Sequence, residues 1–308
     1  MAATNPNPNT MGTDTNAPWI PEVIANESMG LLGSYLNLGK TVSKDSDLSV
    51  AKVGQKIHIP RRGVIVAQQK QQHVDAETQQ PDADDVEITV DQHWYVRLAE
   101  EDFTKAMQQT DALPGYIEDA VIVLAEKIES QLAAHASEFD NVDVTGSDAD
   151  RYVKGVQKVR ERMALNKVPQ LAQKYGYVHP TVITGLLQAN AFIDPKLIPN
   201  NRALTEGTVG RVAGFDTFEG QLVESVGSPA WYQNFFYTKN ALVLASRSLE
   251  VPGAGLGVQA TTVQSEAGLS IRVMRAYDTK SMSTIGQLDV LFGTGVNDVR
   301  QGFVLESQ

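Results

Sequence analysis

One long amphipathic helix constrains this chain of 308 residues more than any other feature of its sequence. Between residues 117 and 132, apolar side chains recur every three or four positions, which is the spacing of one helix face. Pro114 lies near the first helical position, where its missing N–H is not needed. We expect a helix over 113–139, roughly 40 Å long at about 1.5 Å per residue. Such a helix must lie across a sheet or span a lobe. The apolar stripe consists of Ile117, Val121, Leu124, Ile128 and Leu132.

Two alternating segments before this helix predict an extended β-hairpin. Residues 53–60 alternate and end in the basic pair Arg61 and Arg62, whereas Val86, Ile88 and Val90 mark one face of a second strand. The highly polar residues 68–85 between them predict the tip. Because a two-stranded hairpin is weakly stable alone, we expect it to rest on another chain.

The N-terminal region predicts an arm followed by a short helix. Residues 1–18 are rich in Asn, Pro and Thr, so they predict a flexible arm. Residues 21–36 carry apolar groups at mixed spacing, which indicates a short helix that needs another element to lie on.

The C-terminal half mixes one further helix with short strands. A helix over about 148–164 would place Tyr152, Val156, Val159 and Met163 on one face. Strands and loops are predicted at 177–183, 211–215, 241–245, 269–273 and 288–292. Long helices followed by segregated strands indicate an α+β fold rather than an alternating one.

Composition excludes several classes of protein. A net charge of −11 argues against a dedicated nucleic-acid binder, which needs excess Lys and Arg to neutralise phosphates. The absence of cysteine excludes disulfides, thiolate metal sites and cysteine nucleophiles. No signal peptide and no apolar run long enough to cross a bilayer is present, so we expect a soluble protein that is made in the cytoplasm.

Several motifs suggest a nucleotide or metal site, but none has the spacing that such a site requires. Gly39-Lys40-Thr41 lacks the glycine of a phosphate loop, because Ser34 occupies that position. The sequence from Asn141 has the front half of a calcium loop, but its twelfth position is Tyr152 rather than a carboxylate. No two histidines have the spacing of a helical metal site. We therefore expect no enzymatic activity, no cofactor and no metal.

Local charge suggests where such an acidic chain makes contacts. Residues 151–174 contain seven Lys or Arg and one acid, so they form a basic strip. Two interpretations remain open: a solvated cationic face, or a surface for an anionic partner such as DNA, a scaffold protein or the acidic segment 82–85 of an adjacent copy. The candidate contact residues are Arg61, Arg62, Asp82, Asp84, Asp85, Arg151, Lys154, Lys158 and Arg162.

The order of these parts resembles the Hong Kong 97-like coat-protein fold of tailed bacteriophages. Gly210–Glu219 (GRVAGFDTFE) resembles a turn into a strand of one coat-protein branch, and Phe236–Arg247 (FYTKNALVLASR) resembles its following strand. Residues 268–273, 277–278 and 289–293 resemble its closing strands. The resemblance covers about residues 20–305 and implies four parts. These are an N-arm over 1–48, an extended hairpin (E-loop) over 49–98, a peripheral (P) domain over 99–145 and 265–283 with the spine helix 113–139, and an axial (A) domain over 146–264 and 284–308.

The resemblance implies a major capsid protein that assembles as pentamers and hexamers into an icosahedral shell around double-stranded DNA. It implies location in the virion capsid after synthesis in the host cytoplasm, with scaffold, portal and decoration proteins as further partners and no membrane. No motif allows the Lys–Asn cross-link of some relatives to be carried over. Two alternatives stay open: an encapsulin-like nanocompartment shell, and an acidic ligand-binding or adhesion module.

Overall fold

The computed structural model describes most of the chain between residues 21 and 307. The described ranges are 21–45, 56–61, 84–102, 113–142, 150–188, 210–227, 231–253, 258–264 and 269–307, with isolated positions between 65 and 79. The α-helices in these ranges are α1 (Pro21–Tyr35), α2 (Leu38–Thr41), α3 (Leu113–Ala134), α4 (Arg151–Leu165) and α5 (Pro180–Gln188). Two 3-10 helices cover His135–Glu138 and Val299–Gln301.

Fifteen described strands form two large sheets and one hairpin. In chain order they are β1 (Ser43–Asp45), β2 (Lys56–Arg61), β3 (Asp84–Thr89), β4 (Gln92–Glu101), β5 (Asn141–Val142), β6 (Lys174–Val178), β7 (Arg211–Val212), β8 (Phe215–Glu219), β9 (Ser225–Val226), β10 (Trp231–Thr238), β11 (Leu242–Arg247), β12 (Val258–Gln264), β13 (Ser270–Asp278), β14 (Ser283–Val296) and β15 (Gly302–Ser307).

The first sheet has the order β1-β11-β14-β13-β12, with β4 paired to β14, and the second sheet has the order β5-β15-β10-β6-β8-β7, with β9 paired to β10. The mixture of helices and strands agrees with the predicted combination of α and β structure. Residues 242–264 and 284–296, which the prediction assigned to the axial part, contain strands of the same sheet as residues 270–283. The predicted boundaries between the axial and peripheral domains, at residues 264 and 284, therefore fall within one sheet.

The long helix α3 lies against the first sheet, as its single apolar stripe predicts. Val121, Leu124, Ile128 and Leu132 are buried in the main core. The predicted helix 113–139 is α-helical to Ala134 and then narrows to a 3-10 turn. This turn is followed by Phe139, whose ring lies 4.7 Å from that of Phe235.

The helix α1 lies on the chain's own body, where it contacts α3, β12 and β13. Its buried residues Ala25 and Leu32 join the main core. The short helix predicted over 21–36 is therefore present, and its supporting surface belongs to the same chain. The flexible arm predicted over 1–18 lies outside the described residues.

The first sheet has two faces with different coverings. Leu288, Val290 and Phe292 of β14 join the main core on the side of α1 and α3, which we call the helix face. The alternate residues of β14 point to the opposite side, where Leu291 contacts residues of the hairpin. We call this side the hairpin face.

The hairpin β2–β3 forms as predicted, but its base rests on its own chain. Ile88 and Val90 are buried against Val243, Ala245 and Leu291 of the first sheet. The expectation that the hairpin rests on another chain is therefore wrong for its base. The ladder ends at Thr89, and 92–98, also placed in the hairpin segment, pair with β14. Most of the predicted tip lies outside the described residues.

The helices α4 and α5 cover one face of the second sheet. Val156, Val159 and Met163 of α4 are buried beside Phe236 and Phe303, as the predicted stripe requires. The segment 177–183, predicted as strand and loop, instead contains the end of β6 and the start of α5. Proline is favourable at the first position of a helix, and α5 begins at Pro180.

Candidate subunit contact surfaces

No described group of residues has the arrangement of a metal centre. Within the described ranges, no three His, Asp or Glu side chains lie close enough together to hold a metal ion. In the same ranges, no helix combines the length and apolarity that crossing a membrane requires. The charged and exposed groups of the described surface are the candidates for functional contacts.

The hairpin brings predicted basic and acidic residues together within one chain. Arg61 and Asp84 are directly opposite each other in the β2–β3 ladder. The carboxylate of Asp85 lies 2.5 Å from Nδ1 of His58, and both side chains are more than half exposed. Asp85 therefore has a partner inside its own hairpin, and exposed pairs of this kind are weak. Arg62 and Asp82 lie outside the described residues.

The basic strip on α4 has the orientation that helical periodicity predicts. Lys154, Lys158 and Arg162 are exposed and lie outside the buried apolar stripe of the helix. Arg151 is only half-exposed, because its guanidinium lies 4.6 Å from the Tyr152 ring centroid and donates a hydrogen bond to the Tyr152 hydroxyl. The four predicted residues thus belong to one helix, and three of them face away from the core.

Residues from the second sheet enlarge this cationic surface. Partial burial lowers the pKa of Lys174 at the start of β6, and the positive charges of Arg160 on α4 and Arg211 on β7 lower it further. Arg211 was not anticipated, because residue 211 is distant in sequence and only sheet pairing brings β7 near β6 through β8. No pattern local to Arg211 would have predicted its position. Asp216, whose carboxylate lies 3.5 Å from Nε of Arg211, offsets part of this positive charge within the chain.

A buried ion cluster on the hairpin face was also missed. Asp289 is completely buried and accepts a hydrogen bond of 3.0 Å from Nε of Arg272. Nε2 of His93 lies 3.1 Å from the same carboxylate. The signal that could have revealed it is an aspartate inside the apolar run 288–292. The cluster joins β4, β13 and β14.

A second buried acid joins α3 to the turn after α1. Glu129 accepts hydrogen bonds from the backbone N–H groups of Asn37 and Leu38, the latter at 2.7 Å. Burial raises the pKa of Glu129, although these N–H groups and the charge of Lys40 oppose the shift. An open cavity of about 480 Å³ lies beside it, lined in part by Glu126, Glu219 and Tyr177. The carboxylate stabilises the start of α2.

Comparison with known proteins identifies the fold. No family model matches the chain, and no curated protein matches it either. Among solved structures, a chain of Mycobacterium phage Che8 superposes with a TM-score of 0.62 at 14% identity, covering 89% of this chain and 90% of that one. The capsid structure of cyanophage P-SCSP1u gives a TM-score of 0.62 at 14% identity, with coverage of 87% and 86%.

A third structure leads to the same result. The asymmetric unit of the mature capsid of bacteriophage PhiM1 gives a TM-score of 0.61 at 14% identity, covering 86% of this chain and 85% of that one. The chain therefore has a fold found in phage capsids, and the predicted resemblance to the Hong Kong 97-like capsid fold is confirmed for the fold.

Proposed function

We propose that this chain is a major capsid protein, which assembles into an icosahedral shell enclosing phage double-stranded DNA. The observation that carries the proposal is the fold likeness to phage capsid chains, because it extends over nearly nine-tenths of both partners in each comparison. Shared fold alone does not fix function.

The four capsid parts are assigned as a proposal. The helix α3 corresponds to the spine helix of the peripheral domain, and β2–β3 correspond to the base of the E-loop, whose distal part would extend over a neighbouring copy. The second sheet with α4 and α5 corresponds to the axial domain. Because β11 to β14 share one sheet, we assign them together to the peripheral domain. Residues 1–48 would include the N-arm.

The contacts between copies are proposed to be partly electrostatic. The exposed cations of α4, together with Arg160, Lys174 and Arg211, form a positive area on a chain with a net charge of −11. The acidic end of the hairpin in a neighbouring pentamer or hexamer copy offers a negative partner. Arg61 and Arg62 are candidates for the reciprocal contact. Weak pairs repeated across many copies can stabilise a closed assembly.

The implied partners follow from this assignment. Besides itself, the chain would contact packaged DNA without sequence specificity, and scaffold, portal and decoration proteins. Its place would be the virion capsid, after synthesis in the host cytoplasm. A capsid subunit needs no catalytic activity for these contacts.

Self-assembly is the direct test of the proposal. The full chain, expressed alone and with its phage's scaffold protein, is examined by light scattering and negative-stain microscopy. We expect rings, shells or megadalton particles in at least one of the two preparations. A chain that remains monomeric in both would contradict the proposal. Nuclease-protected double-stranded DNA in particles from the phage separates a capsid from a nanocompartment, which would hold protein cargo instead.

The charged contact is tested with opposite substitutions on one helix face. Lys158→Glu should reduce the yield of particles, whereas Glu161→Lys, at another exposed position of α4, should preserve or increase it. Combined reversal of Arg61 and Arg62 should also reduce assembly. If these reversals leave assembly unchanged while all variants fold, the electrostatic part of the proposal is contradicted and the shell assignment is not.

A further inference from the structure

The outer edge of β4 has the properties of an unused pairing surface. All ten residues of β4 pair with β14, from Gln92 opposite Phe292 to Glu101 opposite Ser283, without a bulge. In the described part of the chain, no strand pairs with the other edge of β4. An edge of this kind presents a row of N–H and C=O groups that can pair with another chain.

β4 lacks several of the features that protect an edge strand, although it carries the charged residues Arg97, Glu100 and Glu101. Natural edges are kept short, bulged, or interrupted by proline and lysine. The strand β4 is long and straight in register, and its sequence QHWYVRLAEE contains neither residue. The edge strands β1, β5 and β7 have only two or three residues each. The other edge strands β12, β2 and β3 have seven, six and six residues. β4 is therefore the longest described edge strand.

The side chains of β4 on the hairpin face remain uncovered. His93 and Tyr95 are cross-strand neighbours of Leu291 and Asp289, so the odd-numbered residues of β4 lie on this face. All of them are exposed, and Tyr95 is 63% exposed. On the helix face, Nζ of Lys127 lies 4.5 Å from the ring centroid of Trp94, which is 36% exposed. The exposed face can therefore select a partner through its charges.

Charge complementarity selects a second copy of β4 as that partner. In an antiparallel pair related by a twofold axis, directly opposite residues share a face. A register centred on Ala99 places Arg97 of each copy opposite the partner subunit's Glu101, whereas a register centred on Arg97 places like charges together. The register centred on Ala99 forms two ion pairs, whereas the register centred on Arg97 places the two Arg97 side chains opposite each other, where they repel.

We propose that residues 97–101 of β4 pair antiparallel with the same residues of a second copy across a twofold axis at Ala99, so that the first sheets of two subunits become one. This inference rests on the self-association proposed above and names one surface through which it occurs. The two Ala99 Cα atoms would be about 4.5 to 5.5 Å apart, as in any antiparallel pair. That separation lies within the range a disulfide can bridge.

Because the full chain has no cysteine, a single introduced thiol tests the contact directly. Ala99→Cys should form a covalent dimer under mild oxidation, at least roughly tenfold faster than the exposed control Gln157→Cys on α4, because pairing raises the effective concentration of the two thiols. Equal rates for the two variants would overturn the proposal.

Mixed variants test the register independently of position 99. Arg97→Cys protein and Glu101→Cys protein should form a heterodimer when mixed, at a rate well above the homodimerisation of either. In the Ala99→Cys background, Arg97→Glu and Glu101→Arg should each slow cross-linking, and the double exchange should restore it. A cross-linking rate that does not change with these charge substitutions would overturn the proposed register.

Microscopy of the same samples separates this inference from the shell proposal. Particles that form without any cross-link at Ala99→Cys would overturn the β4 contact and leave the capsid assignment intact. A folded variant that forms neither particles nor cross-links would contradict both.

Discussion

Adding one methyl group at Gly293 tests whether the hairpin base is seated on the first sheet. A Cβ at this position would lie 2.3 Å from the carbonyl oxygen of Thr89 and 3.0 Å from the Cα of Val90. Both are backbone atoms, so no rotamer change can relieve the clash. Gly293→Ala must therefore displace either β14 or the hairpin. Overpacking of this kind costs about 1–3 kcal/mol, and lifting the hairpin would also expose part of Ile88.

Urea unfolding of the unassembled chain measures this cost. The expected result is a lower unfolding midpoint for Gly293→Ala, with a decrease of about 1–3 kcal/mol in the free energy of unfolding. Gly295→Ala is the matched control, because its Cβ would lie 3.0 Å from the Cγ1 atom of Ile88, a side chain that can move. Gly30→Ala in α1 meets nothing within 4 Å and should stabilise the chain by about 0.5–1 kcal/mol.

The comparison between neighbouring glycines decides the outcome. If Gly293→Ala is as stable as the parent chain, or no less stable than Gly295→Ala, the close approach of hairpin and sheet is refuted. If it is destabilised by the expected amount, particle assays can then show whether a displaced hairpin also impairs assembly.

Three further substitutions test the buried groups. Arg272→Ala leaves the fully buried Asp289 without its main partner and should cost about 3–5 kcal/mol in denaturant unfolding, whereas removing both charges with apolar residues should cost much less. The folded-state pKa of Glu129 is raised above its unfolded value. The ionised carboxylate therefore lowers the free energy of unfolding at neutral pH, and this loss is relieved as pH falls towards 4.5. The free energy of unfolding of the parent chain should therefore increase relative to that of Glu129→Gln from pH 7 to 4.5. If the difference between the two chains does not change with pH, the raised pKa of Glu129 is contradicted. Leu124→Ala should cost about 2–5 kcal/mol, while the half-exposed Val123 replaced by alanine should change stability by less than about 0.5 kcal/mol.

Local periodicity predicted the features that depend on neighbours in sequence. The buried stripe of α3 and the separate basic and apolar positions of α4 follow from a spacing of three or four residues, and both are present. The hairpin strands follow in the same way from alternation. The helix α5 was missed because it is only nine residues long and follows directly on a strand, although Pro180 is a recognised signal for a helix start.

Long-range placement could not be predicted from such patterns. Arg211 joins the cationic area only because β8 lies between β6 and β7. Asp289 is paired only because β14 lies between β4 and β13. Each contact depends on strand order, which many sequences with the same local alternation would not share.

The amino-acid sequence by itself determined the helices α3 and α4, the hairpin strands, the absence of cysteine chemistry, the net negative charge and the resemblance to a capsid fold. These features depend on composition, on short-range spacing and on the order of parts along the chain. Only the tertiary structure decided that the hairpin base lies on its own sheet and that, among the described strands, β4 has one unpaired edge. The physical reason is that both outcomes follow from which strands pair. Strand pairing is set by contacts between residues far apart in the chain, such as Gly293 with Thr89.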